Sequence, residues 1–236
     1  MAITLDQVAY YFLDFETNKK GDFYLAGYAS SGKFRQVILT PRLRGLAEEL
    51  EAKLTLPEDF PRDFLKCARA HQATIVAYST AEQNTLMSLL PDDQALLGSV
   101  QYLNLAKAAR SWIRKYKQKE FEALPPLVKS ANEFFKKQHP KSLVSICRLI
   151  GFNAPTDYAI GKTTSRFNTV INALKKKNHD YPSLTAVQKA KATKALKHNR
   201  YDVESMVELL STIQGADPKI IERATASLLR NDAKGN

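Results

Sequence analysis

The sequence predicts an α/β fold: a mixed five-stranded sheet, built as an antiparallel meander plus parallel strands, flanked by helices and followed by a mostly helical, basic C-terminal half. Three observations predict it. Residues 8–40 hold three apolar runs split by tight-turn residues. Residues 41–106 alternate helix-like and strand-like segments, the pattern of crossover connections. From Ala106 onward the pattern is helical and rich in Lys and Arg.

The elements follow in order. VAYYFLDF carries no charge before Asp14 and reads as a central strand. Lys19-Lys20-Gly21-Asp22 is a turn, and FYLAGYAS and FRQVILT are strands split by Ser31-Gly32-Lys33. Pro41 to Ala70 reads as helical, with Leu46, Leu50 and Leu54 at spacing four, interrupted near Pro57 and Pro61. TIVAYS is a fourth strand, AEQNTLMSLL a helix stopped by Pro91, and VQYLNLA a fifth strand. Pro125-Pro126 marks a break, and HPKSLVSICRLIGF is a helix with Ser142 as its N-cap and Gly151 as its stop. SRFNTVINALKKK is a further helix, closed by a turn at Asn178 to Pro182. A last long helix starts near Ser183 and runs through KHNRYDVESMVELLSTI. PKIIERATASLL adds a short helix before an end, NDAKGN, that should fray. The expected organisation is one domain over 1–212 with a helical insertion at about 107–182, then a helical tail over 213–236.

Charge is placed unevenly. Residues 1–106 carry −3 and residues 107–236 carry +14, for a net charge of +11. Within 129–200 there are 15 basic residues against Glu133, Asp157 and Asp180. Such asymmetry points to a polyanion partner, nucleic acid first and an acidic protein second. No apolar run is long enough to span a bilayer, so no membrane partner is expected. The first residues lack the basic stretch and small-residue cleavage site of a signal peptide. Cys67 and Cys147 are far apart and form neither a disulfide framework nor a zinc spacing. Together these features predict a cytoplasmic protein with reduced thiols.

Asp14 and Glu16 end the first strand with Phe15 between them, so strand alternation sends both acids to one face. Two carboxylates on one face repel unless a cation meets them, and a hard divalent ion is the usual partner for oxygen ligands. Crossovers bring the ends of strands one and four to the same edge of the sheet, where α/β proteins bind ligands. Glu82 follows strand four in the first turn of a helix, a place the helix dipole alone would favour. On the last helix Val203, Met206, Val207 and Leu210 form an apolar stripe. Asp202 lies at its edge, with His198 one turn earlier on the same side.

In their order and spacing, FLDFET, VAYSTAEQNTL and HNRYDVESMVELL resemble the three motifs of the RNase H-like DEDD exonuclease superfamily. The resemblance runs from about Tyr10 to Leu210 and is strongest to the YprB-type predicted RNase H-like nucleases, whose second motif commonly carries Glu, as Glu82 here. It implies an RNase H-like fold and hydrolysis of DNA or RNA phosphodiester bonds by a 3′–5′ exonuclease acting on single-stranded ends. It also implies two Mg²⁺ or Mn²⁺ ions about 3.5–4 Å apart. Asp14 would bridge the ions, Glu16 and Asp202 would hold one or both, and Glu82 would hold the second. His198 would take a proton from the attacking water. The sequence departs from the family at that residue. Tyrosine-type members place Tyr four residues before the last Asp and histidine-type members place His five before it, where this chain has His198 and Lys197. A catalytically weak or inactive nucleic-acid-binding module on the same fold is therefore the alternative. Acids around His198 also predict a raised imidazole pKa without metal; bound metals would return it towards its ordinary value of about 6.5, so activity should rise through pH ~6 to 8.

The basic half supplies candidate phosphate contacts at Arg114, Lys136, Arg166, Lys175, Lys176 and Lys177. Trp112, Tyr116 and Phe167 are interleaved with them as candidate stacking groups, although core packing is the expected role of Trp112 and Phe167.

Overall fold

A computed structural model of the chain describes residues 9–18, 20–125, 142–153, 155 and 162–229. The first strand, β1 (Tyr10–Thr17), lies in the middle of the sheet, as a charge-free run covered on both faces must. It pairs antiparallel with β2 (Phe23–Ser30), which pairs antiparallel with β3 (Lys33–Ile38). On its other side it pairs parallel with β5 (Thr74–Ala77), which pairs parallel with β6 (Gln101–Asn104). These are the five expected strands. Two short ones extend them to seven. The strand β4 (Lys53–Leu54) lies beside β3, and β7 (Thr225–Ser227) lies antiparallel to β6, giving the order β4-β3-β2-β1-β5-β6-β7. Both additions are edge pairings of two or three residues, too short to show a period of their own.

The helices depart from the expected boundaries in small ways with clear causes. A 3₁₀ turn at Pro41–Leu43 leads into α1 (Arg44–Glu49). The next helix, α2 (Asp59–Ala70), is not broken by Pro61, which sits in its first turn where no intrahelical N–H is needed. Then come α3 (Thr80–Leu89), α4 (Gln94–Gly98) and α5 (Leu105–Trp112). One π-helical turn, Ile113–Lys117, joins α5 to α6 (Gln118–Glu122). Helix α7 (Leu143–Cys147) has Ser142 as its N-cap, and a following 3₁₀ turn ends at Gly151, whose φ of 76° is left-handed. After α8 (Thr163–Lys176) comes α9 (Ala186–Ala216), about 46 Å long. It starts three residues past Ser183, because Thr185 and Gln188 form the capping box. It runs unbroken through residue 212. The chain then turns into α10 (Pro218–Ala224) and re-enters the sheet as β7, so the segment after 213 is not wholly helical. The expected frayed end, NDAKGN, lies outside the described residues.

Alternation along the strands divides the core. Tyr11, Leu13, Ala26 and Val37 face α2 and α3, meeting Phe60, Phe64, Leu65 and Leu86. Phe12 and Ala29 face α5, α9 and α10, meeting Trp112, Val203, Met206 and Ile221. Leu25 and Ile38 continue that second face towards α8, where Phe167, Val170 and Leu174 close over them. Leu13 is fully buried, so truncating it to Ala would cost about 2–5 kcal/mol. Among the described residues no helix is long and apolar enough to cross a membrane.

Candidate active site

Asp14 and Glu16 share a face with Phe12, the face crossed by α9, while Phe15 points the other way onto Phe60. Glu82 lies in the first turn of α3. Ser79 caps that helix by accepting from the Ala81 amide, and its hydroxyl donates to Glu82 Oε2 at 3.1 Å. The Tyr102 hydroxyl, from β6, donates to the Ser79 carbonyl and ties the β5–α3 corner to the sheet. From α9, Val203, Met206 and Leu210 go into the core, which turns Asp202 and His198 towards the strand. His198 Nε2 lies 3.4 Å from Asp202 Oδ2, with 13% and 19% of the side chains exposed. One ligand atom each from Glu16, His198 and Asp202 lies within 4.8 Å of the others. Asp14 and Glu82 join this group through their fields: Asp14 is raised by Glu82, and Asp202 by both.

Burial dominates the electrostatics. It pushes the Asp14 carboxyl up to about 7, with Glu82 adding to the rise and a hydrogen bond from Asn199 opposing it. Burial also raises Glu16, followed by the charges of Asp14 and Asp202. Glu82 and Asp202 are likewise pushed up by burial first. Carboxyls gathered out of water resist ionising together. His198 corrects an expectation. Its imidazole is lowered to about 4, because burial disfavours the charged ring and Arg166 repels it. The neighbouring acids do not raise it, since they too favour their neutral forms in the absence of a cation.

Arg166 is the second correction. It does not reach out for phosphate from the surface but is buried at 8% exposure near the start of α8. Its positive charge lowers Glu16 and His198, so of the two acids of β1 it is Glu16 that it answers. The Thr164 hydroxyl, beside it in sequence, donates to the Thr17 carbonyl at 3.1 Å and fixes the start of α8 to the end of β1. Asn199 was not legible as a site residue. It is fully buried, and its Nδ2 donates to Asp14 Oδ2 at 2.7 Å and to the Asp14 carbonyl at 3.3 Å. A polar amide one residue after His198, on the buried side of a long helix, was the available signal.

The other described basic candidates are exposed. Arg114 is exposed and lines a cavity of about 370 Å³ with Lys107 and Arg110. Lys175, Lys176 and Lys177 are exposed at the far end of α8, roughly 14 Å along the helix from Arg166. Lys136 lies outside the described residues. Trp112 and Phe167 are core residues, whereas Tyr116 is 41% exposed and donates to Asp217.

No family model, curated protein or solved structure matches the chain. What the site can do is therefore set by its own atoms. Four carboxylates offer hard oxygen donors of the kind that suit Mg²⁺ or Mn²⁺, and His198 adds one ring nitrogen beside Glu16 and Asp202.

Proposed function

We propose that this protein is a metal-dependent nuclease that hydrolyses DNA or RNA phosphodiester bonds, trimming single-stranded ends in the 3′-to-5′ direction with two Mg²⁺ or Mn²⁺ ions. The observation that carries the reading is the convergence of Glu16, His198 and Asp202 within 4.8 Å, with Asp14 and Glu82 in the same field. These residues come from a central strand, a crossover helix and a helix some 180 residues later, and buried acids are costly to gather without a cationic ligand. The resemblance of the three sequence motifs to DEDD exonucleases supports the same assignment.

Asp14, Glu16, Glu82 and Asp202 would hold the ions. When bound, these would acidify water and neutralise charge developing on the phosphoryl oxygens. His198, a neutral imidazole whose lowered pKa makes it a weak base, would take a proton from the attacking water. Arg166 keeps a fixed positive charge beside Glu16. The +14 balance of residues 107–236 would track the phosphate backbone of a single strand, with Arg114 and Lys175 to Lys177 exposed for that role. Two unpaired cysteines, Cys67 exposed and Cys147 buried, accord with a reducing, cytoplasmic setting.

A nucleic-acid-binding module without catalysis is the second reading. Arg166 favours it, because an internal guanidinium already supplies part of the charge that a metal would. End-labelled single-stranded DNA and RNA, incubated with Mg²⁺, with Mn²⁺ and with EDTA, decide between the two. Stepwise shortening that stops in EDTA and in Asp14→Ala is the expected result. Binding without cleavage under every condition supports the module.

A further inference from the structure

We propose that Asn199 is a positioning residue for Asp14, reaching across the sheet through a gap left by Gly27 and fixing which carboxylate oxygen is offered to a cation. The proposal rests on the metal-site reading above. Asp14, Gly27 and Gln36 are direct cross-strand partners on β1, β2 and β3, one row of the sheet. A side chain at the middle position of this row would fill the space that Asn199 needs: a Cβ on Gly27 would overlap Asn199 Oδ1. Glycine in mid-strand often marks such a close approach.

The bonds along the row have one consistent direction. Gln36 Nε2 donates to the Leu196 carbonyl at 3.0 Å, and a carbonyl only accepts, so the Gln36 amide has one orientation. The same nitrogen donates to Asn199 Oδ1 at 2.9 Å, which turns Asn199 Nδ2 towards Asp14. Asn199 then spends both Nδ2 bonds on one residue, at the Asp14 carbonyl and at Oδ2. A buried amide serving packing alone needs only satisfied bonds. This one grips the main chain and the carboxylate of the same acid, and is itself gripped by Gln36 of β3. Oδ2 is committed to the amide, and Oδ1 is the oxygen presented to a cation. Outer partners of this kind orient metal ligands, and losing one typically costs ~10- to 100-fold in metal affinity.

The test is Mn²⁺ binding to the metal-free full chain, followed by the electron paramagnetic resonance of free Mn²⁺. Wild type, Asn199→Ala, Gly27→Ala and Gln36→Ala are compared, with urea unfolding in EDTA measured in parallel. Asn199→Ala is expected to weaken Mn²⁺ by ~10- to 100-fold. Gly27→Ala should match it while keeping every polar group, because its Cβ displaces the amide. Gln36→Ala should fall between, since Asn199 loses its outer anchor. A folded Asn199→Ala protein with wild-type Mn²⁺ affinity overturns the proposal, even if it is less stable in EDTA, because that is the signature of packing alone. Should Asn199→Ala fail to fold, wild-type affinity in Gln36→Ala, whose side chain is half-buried, overturns it equally. If the wild type itself binds no Mn²⁺, the metal-site reading falls and takes this proposal with it.

Discussion

Replacing Asp14 by Asn should stabilise the metal-free protein, and the pH at which it does so is set by the site. Asn keeps the shape of the side chain and an acceptor oxygen for Asn199 Nδ2. What it removes is a carboxyl raised from 3.8 to about 7 in the fold, chiefly by burial and then by Glu82. The folded value lies above the unfolded one. Its stabilising contribution is therefore complete below pH 3.8 and is lost as pH rises through about 7. At 1.36 kcal/mol per pKa unit the loss is about 4 kcal/mol by pH 8. Glu16, Glu82 and Asp202 are raised too, so the wild type should lose further stability as pH rises. Urea unfolding in EDTA at pH 4 and pH 8 measures the difference. Asp14→Asn should be close to wild type at pH 4 and clearly more stable at pH 8. For a chain of this size that is a gain of roughly 10 °C in Tm. A wild type that is the more stable of the two at pH 8 in EDTA refutes the reasoning, since it would mean that ionised Asp14 is welcome in the fold without metal.

Three further outcomes follow. His198, lowered to about 4, should stay neutral through the physiological range. Its contribution to stability therefore falls as pH drops from 6.5 towards 4, and an NMR imidazole signal that titrates near 6.5 in EDTA and vanishes in His198→Ala would contradict this. The same variant should lower turnover by ~10²-fold or more with little change in oligonucleotide affinity. Arg166→Met removes a positive charge that lowers the Glu16 carboxyl and should cost stability at pH 8 in EDTA. The cost should shrink as pH falls, because protonating Glu16 removes its need for the charge, and equal losses at pH 8 and pH 5 would count against it. Oligonucleotide affinity should fall with log salt at a slope near −4 if about six phosphates are met. Changing Lys175, Lys176 and Lys177 to Ala should make that slope shallower by about one to two, and a flat salt response would remove the polyanion argument.

The parts of the fold legible in the sequence were those with local causes. Alternation placed Asp14 and Glu16 together because strand geometry has period two. Helical spacing placed His198 beside Asp202, and the cap at Ser142 and the stop at Gly151 were written in single residues. Residues whose role depends on distant partners were not legible. Any of 35 Lys and Arg residues could have answered the charge of Glu16, and only the packing of α8 over β1 selects Arg166. Asn199 needed two facts at once, a glycine opposite Asp14 and the angle at which α9 crosses β2. The strands β4 and β7 take their pairing from neighbours rather than from any pattern of their own.

The edge pairing at β7 has a bearing on how the protein comes into being. Leu228, just after that strand, is fully buried, and its carbonyl accepts from Gln83, the residue next to Glu82. The corner that carries Glu82 is thus secured by the end of the described chain, while Asp14 waits for Asn199 across a separation of 185 residues. During vectorial synthesis the meander can pair early, but a nascent chain that stops short of residue 202 has no assembled cluster of acids. Contacts of such high sequence separation also make for slow folding, because loop closure must precede the reward. The site therefore assembles only after α9 has been synthesised.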